Sequence, residues 1–419
     1  MLRYTSRDSA HLVIKYSRSL SRYSESYLHS KNDVPNILNK SLLFIVFSAF
    51  LGDGLLTTIG TTVFPNYFDS VYGVMGICVL FSIPPMLSLT ANPLATYFVD
   101  HQGPKSPLLY GIIMFLGAST MLLYGTSLHV HKTAGYATVI VALAVLGIAT
   151  SLSSRGGLSW LSMSHADGLR TCTLKVAVAG GAIGSVVGPV LGGGLYVSTT
   201  AWAAYALTTL LFGMCLLLLL LVYNGGHSVL AVEVDEGDDV RLHLLPPDSP
   251  FGYSGHAALD MSALLELLTC RHMLLCAGAC VLGSAAVSML APLLPAFMRQ
   301  SFDLDPAEQG VVLALVPLCA FLFSPLVASF SDVPSSVAGT RSMTEGGPSS
   351  ARYSVMFAGM TFIGMALCCV VWVRSVYVLC LVLVVMGLGQ ACLHSPCLPL
   401  FADIAEVGIV GEHVVAQTH

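Results

Sequence analysis

SLLFIVFSAFLGDGLLTTIGTTVF, residues 41–64, is an apolar run of membrane-spanning length that holds a single charge, the carboxylate of Asp53. About 20 apolar residues cross the hydrocarbon core as a helix. A carboxylate at the middle of such a helix costs about 2.5–3.5 kcal/mol on insertion scales, so something must offset Asp53. Thr57, Gly60 and Thr61 follow at i+4, i+7 and i+8 and share its helical face. Leu51 and Leu55 point the other way, toward lipid or packing. A polar stripe with a central acid suits a water-filled cavity between helices.

The rest of the chain repeats the apolar theme. Of 419 residues 55% are hydrophobic and only 10% are charged, with a mean hydropathy of +0.78. A soluble globular chain carries roughly 25% charged residues. Ten apolar runs are readable, at roughly 41–64, 71–98, 107–128, 136–163, 173–197, 201–223, 273–298, 310–330, 355–373 and 376–401. They are too long for barrel strands, so the fold class is an all-α membrane protein.

Charge placement orients it. Seven Lys/Arg precede Ser41, and placing that tail in the cytosol puts fourteen Lys/Arg inside against Lys132, Arg299 and Arg374 outside. The excess predicts a cytosolic N-terminus. Residues 1–40, rich in Ser, Tyr and Arg, read as a disordered basic tail without the apolar core of a secretory signal. The twelve Cys lie almost entirely in apolar runs and read as free, core-type thiols. Cys276 and Cys280, with His272, have no acidic partner and read as core residues, so no metal is expected. No Walker loop is present, no cofactor or enzyme chemistry is called for, and no nucleic-acid partner is expected; the surroundings are the lipid bilayer.

Six runs form a first bundle, 41–223. A polar linker, 224–272, carries the acidic cluster Glu233, Asp235, Glu236, Asp238 and Asp239, and a second bundle follows at 273–419. The halves are related. Asn92-Pro93-Leu94-Ala95 through Asp100 matches Ser324-Pro325-Leu326-Val327 through Asp332 at an offset of 232, and Leu51-Gly52-Asp53 matches Leu282-Gly283-Ser284 at 231. The duplication makes Ser284 the counterpart of Asp53. Six spans in the first half predict six in the second, which would reach beyond His419. The expectation is therefore four helices and the start of a fifth, with two spans missing.

Span 5 carries Gly180, Gly184, Gly188 and Gly192 at four-residue spacing, with Pro189 and Gly193 beside them. Such glycines form a smooth strip that admits a neighbouring backbone, and Pro189 adds a bend. Plain helix packing is one reading of the strip. The pattern Gly184-x-x-x-Gly188-Pro189-x-x-Gly192-Gly193 also resembles the antiporter signature in helix 5 of the major facilitator superfamily. After span 2, Thr96-x-x-x-Asp100-His101-x-Gly103-Pro104-Lys105 resembles that superfamily's gating-loop motif, matching at Asp100, Gly103 and Lys105. Phe44-Ile45-Val46-Phe47 with Asp53-x-Leu55-Leu56-Thr57 and Pro65-x-Tyr67 resembles helix 1 of the vesicular amine transporters. So do Asn92-Pro93, Gly188-Pro189-x-x-Gly192-x-x-Leu195-Tyr196 and Met289-Leu290-x-Pro292-x-Leu294-Pro295.

The resemblance implies two pseudo-repeated bundles, alternating access, and exchange of a small organic cation or amine for protons across a vesicle or other endomembrane, rather than the plasma membrane. In that family the helix-1 carboxylate, here Asp53, engages the amine. The strip and gating motifs, with Asn92, Pro93 and Asp332, would shape the gate. Departures are plain: the family's helix-2 Lys aligns with Pro84, and its helix-7 Glu with Ala291. Its helix-10 Asp falls at His394, which has Gln390 and Gly387 on its face. His394 reads either as a proton relay or substrate contact or as a packed neutral imidazole. Asp53 reads either as the substrate and proton site or as a structural acid paired with another helix. Arg155 in span 4, at a similar depth, is the candidate for that pairing, or else it snorkels to the cytosol. The alternatives to an amine exchanger are a broad drug:proton antiporter and a non-transporting remnant or interaction subunit.

Overall fold

The computed structural model describes residues 36–128, 132–164, 167–229, 271–331, 350–397 and 400. Residues 1–35 of the basic tail, the acidic linker cluster, Asp332 and the expected start of a further helix after residue 401 lie outside the described residues, whereas residues 36–40, read as part of the disordered tail, are helical. Among the described residues ten helices are long and apolar enough to cross a membrane. They are α1 (Lys40–Phe68) and α2 (Tyr72–Gln102), α3 (Lys105–Ser127), α4 (Lys132–Ser164), α5 (Asp167–Ser198) and α6 (Ala201–Val229), followed by α7 (Arg271–Phe302), α8 (Pro306–Ser331), α9 (Ser350–Val370) and α10 (Val376–His394). The apolar runs located every one of them. The ends differ: α6 continues past Tyr223 to Val229 and α7 begins at Arg271.

Local chemistry explains the punctuation. The backbone between α1 and α2 passes through Gly73 at φ 61° and ψ −172°, a conformation a side chain would strain. Gly103, at φ 78°, does the same between α2 and α3. The last run extends to residue 401 by hydropathy, but α10 ends at His394 with a turn at Ser395–Pro396. Proline has no N–H to return to the preceding turn, so the helix breaks there.

The first bundle closes on an aromatic core. Phe115 and Phe212 stack at 4.8 Å, Phe64 stacks on fully buried Tyr205 at 6.2 Å, and Tyr72 stacks on Tyr136 at 4.0 Å. The Tyr136 hydroxyl donates to the Gly76 carbonyl at 2.9 Å, tying α4 to α2. The second bundle packs Leu294 and Met298 of α7 against Val316 of α8 and Leu379, Leu383 and Met386 of α10. Large apolar side chains such as Met75, Leu89, Leu210 and Phe357 remain exposed and cover the face a bilayer would meet. Trp372 and Tyr377, both exposed, flank the α9–α10 turn, a position aromatic residues favour at the membrane surface.

The glycine strip of α5 lies against α1, inside the first bundle. A Cβ on Gly180 would strike the Phe47 carbonyl oxygen, and one on Gly184 the Leu51 carbonyl oxygen. At Gly188 it would strike the Thr58 hydroxyl, and at Gly192 the Thr62 hydroxyl. Gly54 of α1 returns the contact, because its Cβ would strike the Gly181 carbonyl oxygen. The four-residue stagger on α5 is thus read out in register by α1. Gly184→Ala must push α1 away, at a cost of about 1–3 kcal/mol for overpacking. Gly194, two residues beyond the strip, has nothing within 4 Å of its would-be Cβ. Thermal unfolding in detergent should fall by several degrees for Gly184→Ala and hold or rise for Gly194→Ala; equal behaviour of the two would show that the strip is not a close contact.

Candidate functional site

Because α1 is pinned on α5, the orientation of Asp53 is fixed by its own helix. The carboxylate turns to α4, where the Thr150 hydroxyl donates to Oδ1 at 2.8 Å. The same hydroxyl lies 3.1 Å from the Leu146 carbonyl, a second acceptor to which it can swing. Asp53 itself is half-buried. One turn on, the exposed Thr57 donates its hydroxyl to the Asp53 carbonyl at 2.8 Å. Half-buried Thr61 donates to the Thr58 carbonyl at 2.6 Å. Each hydroxyl hydrogen is spent on the helix backbone, so both threonines offer lone pairs outward. Asp53, Thr57 and Thr61 therefore form a stripe of acceptors, suited to a ligand that brings donors and positive charge.

Arg155 does not neutralise this stripe. It is exposed, and among the described residues Asp53 makes no ion pair with it. The reason is azimuth: Arg155 follows Thr150 by five residues, which turns it about 140° round the helix from the side that meets α1. Of the two readings open for Arg155, pairing with Asp53 or reaching toward the cytosol, the pairing is absent among the described residues, and a neutral hydroxyl, that of Thr150, meets the carboxylate instead.

In the second half the structure brings together two residues singled out separately. Ser284 Oγ of α7 lies 3.4 Å from His394 Nε2 at the end of α10. Gln390 sits one turn earlier on α10, half-buried. No hydrogen bond or ion pair joins this pair to Asp53, so the candidate site consists of two separate half-sites.

The halves themselves meet at one end, the end that carries Phe68 of α1, Ser198 of α5 and Pro306 of α8. A Cβ on Gly193 would strike the Pro306 carbonyl oxygen, and one on Gly310 the Pro189 carbonyl oxygen. The two bundles thus approach backbone to backbone at their interface. The signature on α5 therefore divides: Gly184, Gly188 and Gly192 serve packing within a bundle, while Pro189 and Gly193 face the other bundle. Beside them is a polar clasp. Asn66 Nδ2 donates to Gln309 Oε1 at 3.1 Å and to the Thr62 carbonyl at 2.7 Å. Gln309, fully buried, donates to the Leu304 carbonyl at 2.8 Å, and the Tyr196 hydroxyl donates to the Asn66 carbonyl at 3.2 Å. Gln309 and Asn66 were not singled out in the sequence; both flank apolar runs as ordinary end-of-helix amides. Thr150 was also missed, although the polar run Thr150, Ser151, Ser153 and Ser154 inside an apolar span was a visible signal.

The gating-loop residues are at the opposite end. Asn92 is half-buried, Pro93 and Asp100 are exposed, and exposed Lys105 stands 5.5 Å above the Trp160 ring, linking the α2–α3 connection to α4.

Residues 274–412 match the family model described as Major Facilitator Superfamily. The vesicular acetylcholine transporter of Torpedo marmorata is 24% identical over 268 residues, covering 56% of this chain and 51% of that protein. The synaptic vesicular amine transporter of Homo sapiens is 22% identical over 338 residues, covering 79% of this chain and 56% of that protein. The chain spans about half the length of the curated relatives it matches. A bacterial homologue of the human lysosomal transporter Spinster, in an inward-facing and unoccupied conformation, superposes with a TM-score of 0.55 at 13% identity, over 90% of this chain and 79% of that one. The peptide transporter POT in complex with sulfate gives 0.54 at 13%, over 84% and 80%. This is a major facilitator fold, and its sequence resembles the vesicular amine transporters.

The clasp between the two bundles yields a test. Gln309→Leu leaves Asn66 facing a buried apolar neighbour, at a cost of about 1–3 kcal/mol. Adding Asn66→Leu removes the unpaired group, so the double variant should recover part of the lost thermal stability. Strictly additive losses would mean that the two amides do not act as a pair.

Proposed function

We propose that the chain is a secondary transporter that works by alternating access and exchanges a small organic cation of amine type for protons. The observation that carries this reading is that Asp53, in the middle of a membrane span, has a hydroxyl for a partner and no cation among the described residues. An ionised carboxylate in a low-dielectric setting is costly unless it is paired. A proton or a ligand ammonium can each relieve that cost, and one carboxylate cannot take both. Mutual exclusion at one group couples the two movements in opposite directions. The acceptor stripe of Thr57 and Thr61 fits an ammonium, and the names of the similar curated transporters supply the amine class. With the N-terminus in the cytosol, the clasped end of the bundles faces away from it, and the Ser284–His394 half-site completes the cavity from the other side. A vesicle or other endomembrane is the natural setting for an exchanger driven by a proton gradient.

Asp53→Asn keeps the shape and the Thr150 contact but removes the charge. In sealed vesicles containing the protein, with an imposed pH gradient, uptake of a radiolabelled amine should be lost while the amount of folded protein is unchanged. Uptake at the rate of the unsubstituted chain would remove Asp53 from the mechanism. Competition distinguishes the drug-antiporter alternative: a few compact amines should compete, whereas inhibition by many unrelated lipophilic cations would favour broad efflux.

A further inference from the structure

Three residues on one face of α7, Cys276, Cys280 and Ser284, are spaced four apart and each meets a partner from the last part of the second bundle. Cys276 Sγ lies 3.7 Å from the Met356 sulfur of α9. Cys280 Sγ lies 3.1 Å from Cys397 Sγ, just past the Ser395–Pro396 break. Ser284 meets His394 one turn further along. All three cysteines are free thiols. No group of three or more His, Cys, Asp or Glu among the described residues is arranged to hold a metal ion, so the third thiol does not turn the cluster into a metal centre.

We infer that Cys280 and Cys397 are a reversible dithiol–disulfide pair that clamps α7 to the segment following α10. The sulfurs are already closer than two unbonded sulfurs usually pack, and a bond requires them to close by about 1 Å, to about 2.05 Å. Cys280 is half-buried while Cys276 and Cys397 are buried, so a small neutral oxidant meets Cys280 first. Hydrogen peroxide supplies the balance. The Cys280 sulfur attacks one peroxide oxygen, the O–O bond breaks, and a sulfenic acid and one water result. The Cys397 sulfur then attacks the sulfenic sulfur, its S–O bond breaks, and a second water leaves as the S–S bond forms. Two thiols are oxidised by two electrons in all and one peroxide is reduced to two waters; a thiol reductant of the glutathione type reverses the step by exchange. The clamp sits one helical turn from Ser284 and three residues from His394, so oxidation holds that pair at a fixed separation. The inference stands apart from the transport reading, because it concerns the thiols alone.

The test uses the full chain purified in detergent, treated with hydrogen peroxide, then blocked with N-ethylmaleimide, digested and analysed by mass spectrometry. The expected product is a linked peptide pair containing Cys280 and Cys397 that disappears after dithiothreitol. It should persist in Cys276→Ser and be absent from both Cys280→Ser and Cys397→Ser. The unsubstituted chain provides the primary readout, so a variant that misfolds does not decide the matter. Alkylation of both Cys280 and Cys397 while the exposed Cys368 and Cys369 are oxidised would overturn the inference. So would a bond from Cys280 to Cys276 in place of Cys397.

Discussion

Everything at the candidate site depends on how closely α1 can lie against α5. Water contributes nothing to helix association inside a bilayer, so contact depends on packing and on small residues that let backbones meet. Glycines on α5 accept carbonyl and hydroxyl oxygens of α1 where any side chain would collide, from Gly180 against Phe47 to Gly192 against Thr62. That fit fixes the rotation of α1, and the rotation determines that Asp53 turns toward Thr150 and that Thr57 stands exposed. The same helix, α5, then uses Pro189 and Gly193 to touch α8. One element therefore sets both the direction of the carboxylate and the contact between the halves.

The electrostatics follow from that placement. A hydroxyl is an adaptable partner for a carboxyl group: it donates to the ionised form, and it can accept from the protonated form while its own hydrogen turns to the Leu146 carbonyl. Both protonation states of Asp53 thus find a hydrogen bond without movement of a helix. An arginine in the same place would have held the ionised form permanently and left a cation nothing to bind. The clasp at the far end is built on opposite logic. Gln309 is fully buried and its amide is committed on both sides, to Asn66 and to Leu304, so separating the halves there means breaking the Asn66–Gln309 bond and leaving two amides unpaired.

Much of the fold was legible because a bilayer demands about 20 apolar residues in a row, and few soluble architectures supply ten such runs. The acid at position 53 and the strip at 180–192 were equally visible, as departures from apolar monotony. What the strip packs against was not, since four-residue spacing defines a face without naming its neighbour. The two readings of Arg155 stayed open for a related reason: depth can be counted from a helix end, but direction between two helices depends on a rotation that only packing fixes. Asn66–Gln309 and Cys280–Cys397 join residues 243 and 117 positions apart. Nothing local distinguishes those residues from ordinary helix-end amides and core thiols. The early end of α10 was in principle readable from Pro396, but continuous hydropathy concealed it.

The central claim is that a proton and an organic cation exclude each other at Asp53. It is tested most directly by adding a small primary ammonium, phenethylammonium chloride, to the purified protein in weakly buffered detergent with a pH-indicating dye, across a series of pH values. The account predicts release of protons on binding in the unsubstituted chain and none in Asp53→Asn. Amine binding without proton release at any pH, or equal release from both proteins, would contradict it.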